Sequence, residues 1–261
     1  VQFTRNPGEN VSQWFPNYGS EGARFSCSVI SGAYQPGYTD YAAPLSATGL
    51  GQFFGQTNFW VRDGVVLPDG SGRMANFFSQ FNRMGGASTL GYPISRPYWK
   101  DGFAYQAFQR GIIQWRPEIG VGVLANTMDW LYAAGYDNVL SGKGIPRHIT
   151  DYDGCGSNLD CAKSVRLAWM TDPDIAAAYF GVPGGYMGGS WDPINFYGLP
   201  TSRAEMYGPY IVQRFQRYGL QKWINQVMGM PEPGTITGIL VGELAKEAGL
   251  VPSFALAAEA P

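Results

Sequence analysis

Histidine occurs once in these 261 residues, as His148, and cysteine three times. A single imidazole excludes zinc sites built on two or more histidines, the paired-histidine metalloprotease helix among them. Three thiols exclude a disulfide-dense scaffold. Charge is scarce as well: Asp, Glu, Lys and Arg make up 15% of the chain, against about 25% in an average soluble domain. With a net charge of -2 there is no basic footprint for a phosphate backbone, so nucleic acid is excluded as a partner. The best apolar stretch, near Val121, is interrupted by Asn126 and Asp129, and no membrane-spanning segment is expected. Phosphate-cradling and dinucleotide-binding glycine fingerprints are missing too, which argues against nucleotide chemistry.

What is present is aromatic and rich in turn residues. Phe, Trp and Tyr reach 15%, glycine 36 residues and proline 18, in a chain that is 45% hydrophobic. That content fills one large core or two modest ones, and the mixture favours strands and turns over a helical bundle. The expected class is α+β. Residue 1 is Val, so a signal peptide is taken to have been removed, and the low lysine content with abundant Asn, Gly, Tyr and Trp points to a secreted or cell-surface setting. Cys155 and Cys161 enclose a short loop, CGSNLDC, that closes as a disulfide in an oxidising compartment; the alternative is three reduced, buried thiols, and either way Cys27 has no obvious mate.

Along the chain, residues 1–72 read as an irregular, strand-containing region ending at the turn PDGSG. Met74, Phe77, Phe78 and Phe81 then fall at helical spacing, with Gly85 and Gly86 as terminators. LGYPISRP is a turn, and FAYQAFQ, Arg110, Gly111 and IIQW read as a hairpin. Leu124, Thr127, Met128 and Leu131 stripe a second helix ended by Gly135. A shift of 107 positions pairs Gly91, Pro93, Ser95, Arg96, Gln106, Phe108, Gln109, Arg110 and Gln114 with Gly198, Pro200, Ser202, Arg203, Gln213, Phe215, Gln216, Arg217 and Gln221 without a gap. Such agreement marks an internal duplication. The organisation expected is a first turn–hairpin–helix repeat at 73–135, an insert at 136–190, a second repeat at 191–253 and a tail at 254–261. In the insert, Asp160 is expected to open one helix, and Asp172 with Pro173 another. In the second repeat the helix is expected to use Ile236, Ile239, Leu240 and Leu244, with Gly249 and Pro252 stopping it.

GGASTLGYPIS followed by YQAFQRGIIQWRPEIG and a helix resembles the LGFP repeat of actinobacterial surface and secreted proteins, and the related modules of secreted Chloroflexi proteins. The likeness covers about 73–135 well and about 191–252 less completely, since the later copy has Gly198, Leu199, Pro200, Thr201 at the turn and KWIN in place of Trp115 to Pro117. The resemblance implies attachment to cell wall or envelope material rather than chemistry.

Candidate ligand-binding residues are Tyr92, Tyr98, Trp99, Arg110 and Trp115 in the first repeat and Arg217 and Trp223 in the second, where aromatic rings alternate with amides and guanidinium groups. That mixture stacks on pyranose faces and hydrogen-bonds hydroxyls. Strand alternation sends part of such a set inward, and Phe108, Ile113, Phe215 and Leu220 are expected in the core. Asp151, Asp153 and Asp160 bracket a loop whose oxygen spacing suits calcium, against the alternative of an Asx-turn loop pinned by a disulfide. No catalytic residue is singled out. His148 lacks a Gly-x-Ser-x-Gly elbow to serve, and Glu118, Asp129, Asp151, Asp153, Asp192 and Glu205 offer no preferred pair for glycoside hydrolysis. The expectation is therefore a non-enzymatic binding protein for cell-envelope glycan or other surface proteins. The alternatives are a subunit of an extracellular assembly, with self-association left open, and a peptidoglycan hydrolase using an Asp/Glu pair. No cofactor other than that calcium is expected.

Overall fold

The computed structural model describes residues 41–45, 49–149, 154–182, 185–186, 189–190, 192–228 and 230–260. In chain order the strands are β1 (Tyr41–Leu45), β2 (Gly49–Phe54), β3 (Phe59–Arg62), β4 (Val65–Val66) and β5 (Met74–Ala75). Helices α1 (Phe77–Arg83) and α2 (Gly86–Leu90) follow, then β6 (Tyr98–Lys100), β7 (Phe103–Phe108), β8 (Gly111–Arg116) and β9 (Val121–Leu124). Next come α3 (Thr127–Ala133), α4 (Asp137–Gly142), α5 (Leu159–Leu167) and α6 (Pro173–Phe180), the ribbon β10 (Gly185–Tyr186) and β11 (Gly189–Ser190), and α7 (Pro193–Tyr197). The chain ends with β12 (Glu205–Tyr207), β13 (Tyr210–Arg214), β14 (Gly219–Trp223), β15 (Ile236–Gly238), α8 (Val241–Glu247) and a 3-10 turn at Ser253–Leu256. The fold is α+β, and its strand pairs are antiparallel.

Local chemistry accounts for the helix starts. Asp172 accepts hydrogen bonds from the N–H groups of Asp174 and Ile175, and Pro173 supplies a preset first turn, as its sequence indicates. Asp192 and Pro193 repeat the arrangement at α7. Asn158, not Asp160, caps α5, accepting from the Cys161 N–H, and Asp160 lies in the first turn. Periodicity also places three boundaries too early. Met74 belongs to β5, paired with Val66, and is exposed, Leu124 belongs to β9, and Ile236 belongs to β15. Gly85, with φ 93°, breaks the chain between α1 and α2.

Two compact units result, each organised around one hairpin turn. The Gln109 unit contains residues 49–125 and 240–260; the Gln216 unit contains residues 126–182 and 192–239. In the former the meander β6-β7-β8-β9 carries the hairpin, with Phe108 paired to Gly111 across Gln109 and Arg110. In the latter β12-β13-β14-β15 does the same, and the Phe215 N–H bonds the Tyr218 carbonyl across Gln216 and Arg217. Both sheets are thus two strands wider than the hairpin that periodicity reveals.

Five of the nine duplicated pairs have matching duties. Gly91 and Gly198 have left-handed φ of 72° and 79°, and a Cβ would stand 2.6 Å from Gln109 Oε1 in one and from Gln216 Cβ in the other. That closeness lets the glutamine amide oxygen accept the next N–H, from Tyr92 and from Leu199, at 3.0 Å in each unit. Ser95 Oγ accepts the Ala107 N–H at 2.9 Å, and Ser202 Oγ the Arg214 N–H at 3.0 Å. The buried amides of Gln106 and Gln213 each donate to the carbonyl of that serine at 3.0 Å and also to a tryptophan carbonyl, of Trp60 and of Trp169. Phe108 stacks on Phe81 at 4.9 Å and Phe215 on Tyr179 at 5.0 Å, so α1 and α6 are counterparts.

The helices that end the repeats are exchanged. α3 follows the first hairpin in sequence, yet the N–H groups of Met128 and Asp129 donate to the Gln216 carbonyl at 3.1 and 3.2 Å. α8 follows the second hairpin, and the N–H groups of Gly242 and Glu243 donate to the Gln109 carbonyl at 3.0 and 3.3 Å. Each helix satisfies its exposed first-turn donors on the turn of the other repeat.

Candidate functional site

The residues expected to bind ligand do not share one surface. Tyr98, Trp115 and Trp223 are interior, at 5%, 5% and 4% exposure, so none of them presents a ring for stacking. Tyr98 stacks on Tyr105 at 5.5 Å, and Trp115 lies 6.3 Å from Phe77. Trp223 packs on Tyr210 at 5.5 Å with its indole N–H 3.2 Å from Thr237 Oγ1. The reason is packing on both faces of the hairpin: β7 is buried without a break from Ala104 to Phe108, and Trp115 meets Phe77 of α1, so alternation no longer turns half of the set to solvent. Tyr92 and Arg110 are half-buried at the turn end of the sheet, where Tyr92 lies 5.7 Å from the Phe54 ring and Arg110 donates to the Ala87 carbonyl at 3.4 Å. Trp99 is half-buried in β6, opposite Ala104. Arg217 donates to Asn126 Oδ1 at 2.8 Å and to the Asn195 carbonyl. Arg110 and Arg217 thus both reach back to the short helix before their turn, a bracing role.

Of the calcium candidates, Asp151 and Asp153 lie outside the described residues. Asp160 is 94% exposed and 3.7 Å from Lys163 Nζ. Among the described residues no group of three or more His, Cys, Asp or Glu side chains is placed to hold a metal. Cys155 and Cys161 lie at disulfide distance, with Sγ atoms 2.03 Å apart and Cα atoms 5.5 Å apart. Cys27 lies outside the described residues.

The densest polar arrangement is one that spacing did not single out. In the Gln216 unit Arg214 is fully buried, and its Nη1 lies 2.5 Å from Asp137 Oδ1 while its Nη2 donates to the Met128 carbonyl at 3.0 Å. Asp137 Oδ1 also accepts the His148 N–H at 3.2 Å. The His148 ring stacks on Tyr132 at 4.2 Å with 17° between planes, and its Nε2 stands 4.0 Å from Asp129 Oδ1. Gln216 Nε2 donates to Asp129 Oδ2 at 3.2 Å. A connected path therefore runs from a buried guanidinium to the surface, where Tyr132 is 36% exposed.

Electrostatics distinguish its members. Burial pushes the Asp129 carboxyl above its ordinary value, partly offset by the Gln216 amide and the Arg214 charge. Burial and the Arg214 charge push His148 below its ordinary value, so the ring is neutral at pH 7. Arg214 is likewise lowered by burial, and Asp137 opposes that shift. A neutral imidazole donates one hydrogen bond and accepts another, and at the surface end it lies beside a carboxylate and a phenol ring. The signal for this cluster lies in the 107-residue shift, which sets Arg214 against Ala107: a charge replaces a methyl in a strand that both repeats bury.

No family model matches the chain, and no curated protein matches it either. Among the described residues no helix is long and apolar enough to cross a membrane.

Proposed function

We propose that the chain is a non-enzymatic binding protein of a secreted or cell-surface setting, whose LGFP-like modules attach to cell-envelope glycan. The observation that carries this reading is the surface end of the Arg214 network: Tyr132, His148 and Asp129 place an exposed aromatic ring beside groups that donate and accept hydrogen bonds. Sugar recognition uses that pairing of a flat apolar ring with oriented polar groups. The duplicated residues support a scaffold role, since Gly91, Ser95, Gln106, Gln109 and their partners are spent on the turn and the helix seat. The disulfide-distance pair of Cys155 and Cys161 suits an oxidising compartment.

The test is co-sedimentation of the full chain with purified bacterial cell wall, alongside the release of reducing sugar. Retention on the wall, weakened at least tenfold by Tyr132→Ala with unfolding unchanged, is the expected result. Retention unaffected by Tyr132→Ala, or none at all, overturns the assignment. Steady release of reducing sugar, lost in Asp129→Asn, makes the protein a glycan hydrolase instead.

A further inference from the structure

The C-terminal segment, residues 240–260, is bound to the Gln109 unit as a ligand would be. Its helix donates two N–H groups to the Gln109 carbonyl, and Val241, Leu244, Ala245, Val251 and Ala255 are buried. Arg96 takes the stretch beyond: its N–H donates to the Ala255 carbonyl, and its guanidinium donates to the carbonyls of Ala257 and Ala258, at 2.7 Å each. The end is clamped by Trp60, whose backbone N–H bonds Glu259 Oε2 at 2.9 Å and whose indole N–H bonds the Ala260 carbonyl at 2.9 Å. The Glu259 N–H completes the clamp on the Asn58 carbonyl at 2.7 Å.

This segment reaches its seat from the other repeat. Only Ile239 and Leu240 connect the end of β15 to the start of α8. The Gln216 turn holds α3 by the same pair of N–H bonds, and α3 likewise arrives from the other repeat, through Ala125 and Asn126. In both cases the turn recognises a helix that its own hairpin does not supply.

We infer that the seat around Gln109, Arg96 and Trp60 accepts residues 240–260 of a second copy of this chain, producing an exchanged dimer. Every contact of the segment is remade in such a dimer, so the two arrangements differ chiefly in the concentration of the segment at the seat and in the path of its two-residue connection. The inference is independent of glycan binding.

Two differently tagged full-length chains test it, refolded together at high protein concentration with the disulfide kept. The expected outcome is co-purification of both tags at twice the 28.5 kDa chain mass, with no exchange when the already folded chains are mixed. Gly242→Leu places a Cβ against the Phe108 carbonyl oxygen and is expected to abolish co-purification. Should that variant fail to fold, a synthetic peptide of residues 240–260, in excess during refolding of the native chain, is expected to lower co-purification at least tenfold. A chain that stays monomeric at every concentration overturns the inference, as does a dimer indifferent to the peptide or to Gly242→Leu.

Discussion

The Gln109 and Gln216 units share their backbone devices and differ in what lies behind them. Where the former buries Ala107, the latter buries Arg214 against Asp137. Trp115 of the former lies against Phe77 of α1; its counterpart Lys222 reaches Asp172 and Asp174 at the start of α6, at 2.9 and 2.6 Å. The exchanged helices differ in kind as well: Asp129 is tied to the Gln216 amide and reaches the surface, whereas Glu243 is enclosed, with Lys246 Nζ at 3.3 Å. The scaffold accepts apolar or ionic interiors alike once its glycine, serine and glutamine positions are kept. Function is therefore expected where the interiors diverge.

The sharpest way to break the comparison is to give one unit the other's residue. Arg214→Ala restores the residue found at 107 but strands Asp137 and opens the space of a guanidinium, so a loss of about 3–5 kcal/mol is expected. Adding Asp137→Ala removes the stranded charge, and the double variant is expected to lose less than the two single losses summed. Urea unfolding followed by tryptophan fluorescence measures both. Equal, additive losses would show that Arg214 and Asp137 are not coupled.

Much of this was legible in sequence because the shared residues carry backbone constraints. Gly91, Pro93 and Ser95 mark the turn, Gln109 and Arg110 mark the hairpin tip, and Asp172 with Pro173 marks a helix start by chemistry that needs no tertiary partner. The outer strands escaped notice because three- and four-residue segments such as Tyr98–Lys100 and Val121–Leu124 carry too little period, and the burial of Tyr98 and Trp115 depends on tertiary packing that no local pattern records. Periodicity also cannot say which hairpin a helix will meet: Met128 and Leu131 advertise an apolar face, and the exchange of α3 and α8 appears only in the fold. Arg214 is visible against Ala107, but its partners Asp137 and Met128 lie far away in sequence and nothing local links them.

A second contrast is one of pH. Burial raises the Glu243 carboxyl from 4.5 to about 7, with Lys246 opposing the shift. The folded state therefore binds a proton more tightly than the unfolded state, and stability falls as pH rises from about 4.5 to about 7 and stays low above that. At about 1.4 kcal/mol per unit the loss is about 3 kcal/mol. Glu243→Gln is expected to flatten that part of the urea stability profile and to be the more stable chain at pH 8. His148 acts in the opposite direction in the Gln216 unit: its lowered value means that its stabilising contribution is lost as pH falls below about 6.5. A Glu243→Gln profile parallel to that of the native chain would place the carboxylate in contact with water.

The smallest expected effect concerns Lys222 and Trp115, which occupy equivalent strand positions and hold equivalent helices by different forces. Lys222 keeps 17% of its side chain exposed and Asp174 58%, so solvent screens this pair of contacts, and Lys222→Ala is expected to cost about 1 kcal/mol. Because the attraction is ionic and near the surface, that cost should shrink when unfolding is repeated in 1 M sodium chloride, where the screening length is about 3 Å. The contact of Trp115 with Phe77 is apolar and enclosed, so the loss on Trp115→Ala is larger and should not shrink with salt. Different salt responses at the same strand position would establish that one backbone seat has been filled by two different kinds of attraction; matching responses would mean that Lys222 contributes through its hydrocarbon stem and that the two units are held alike.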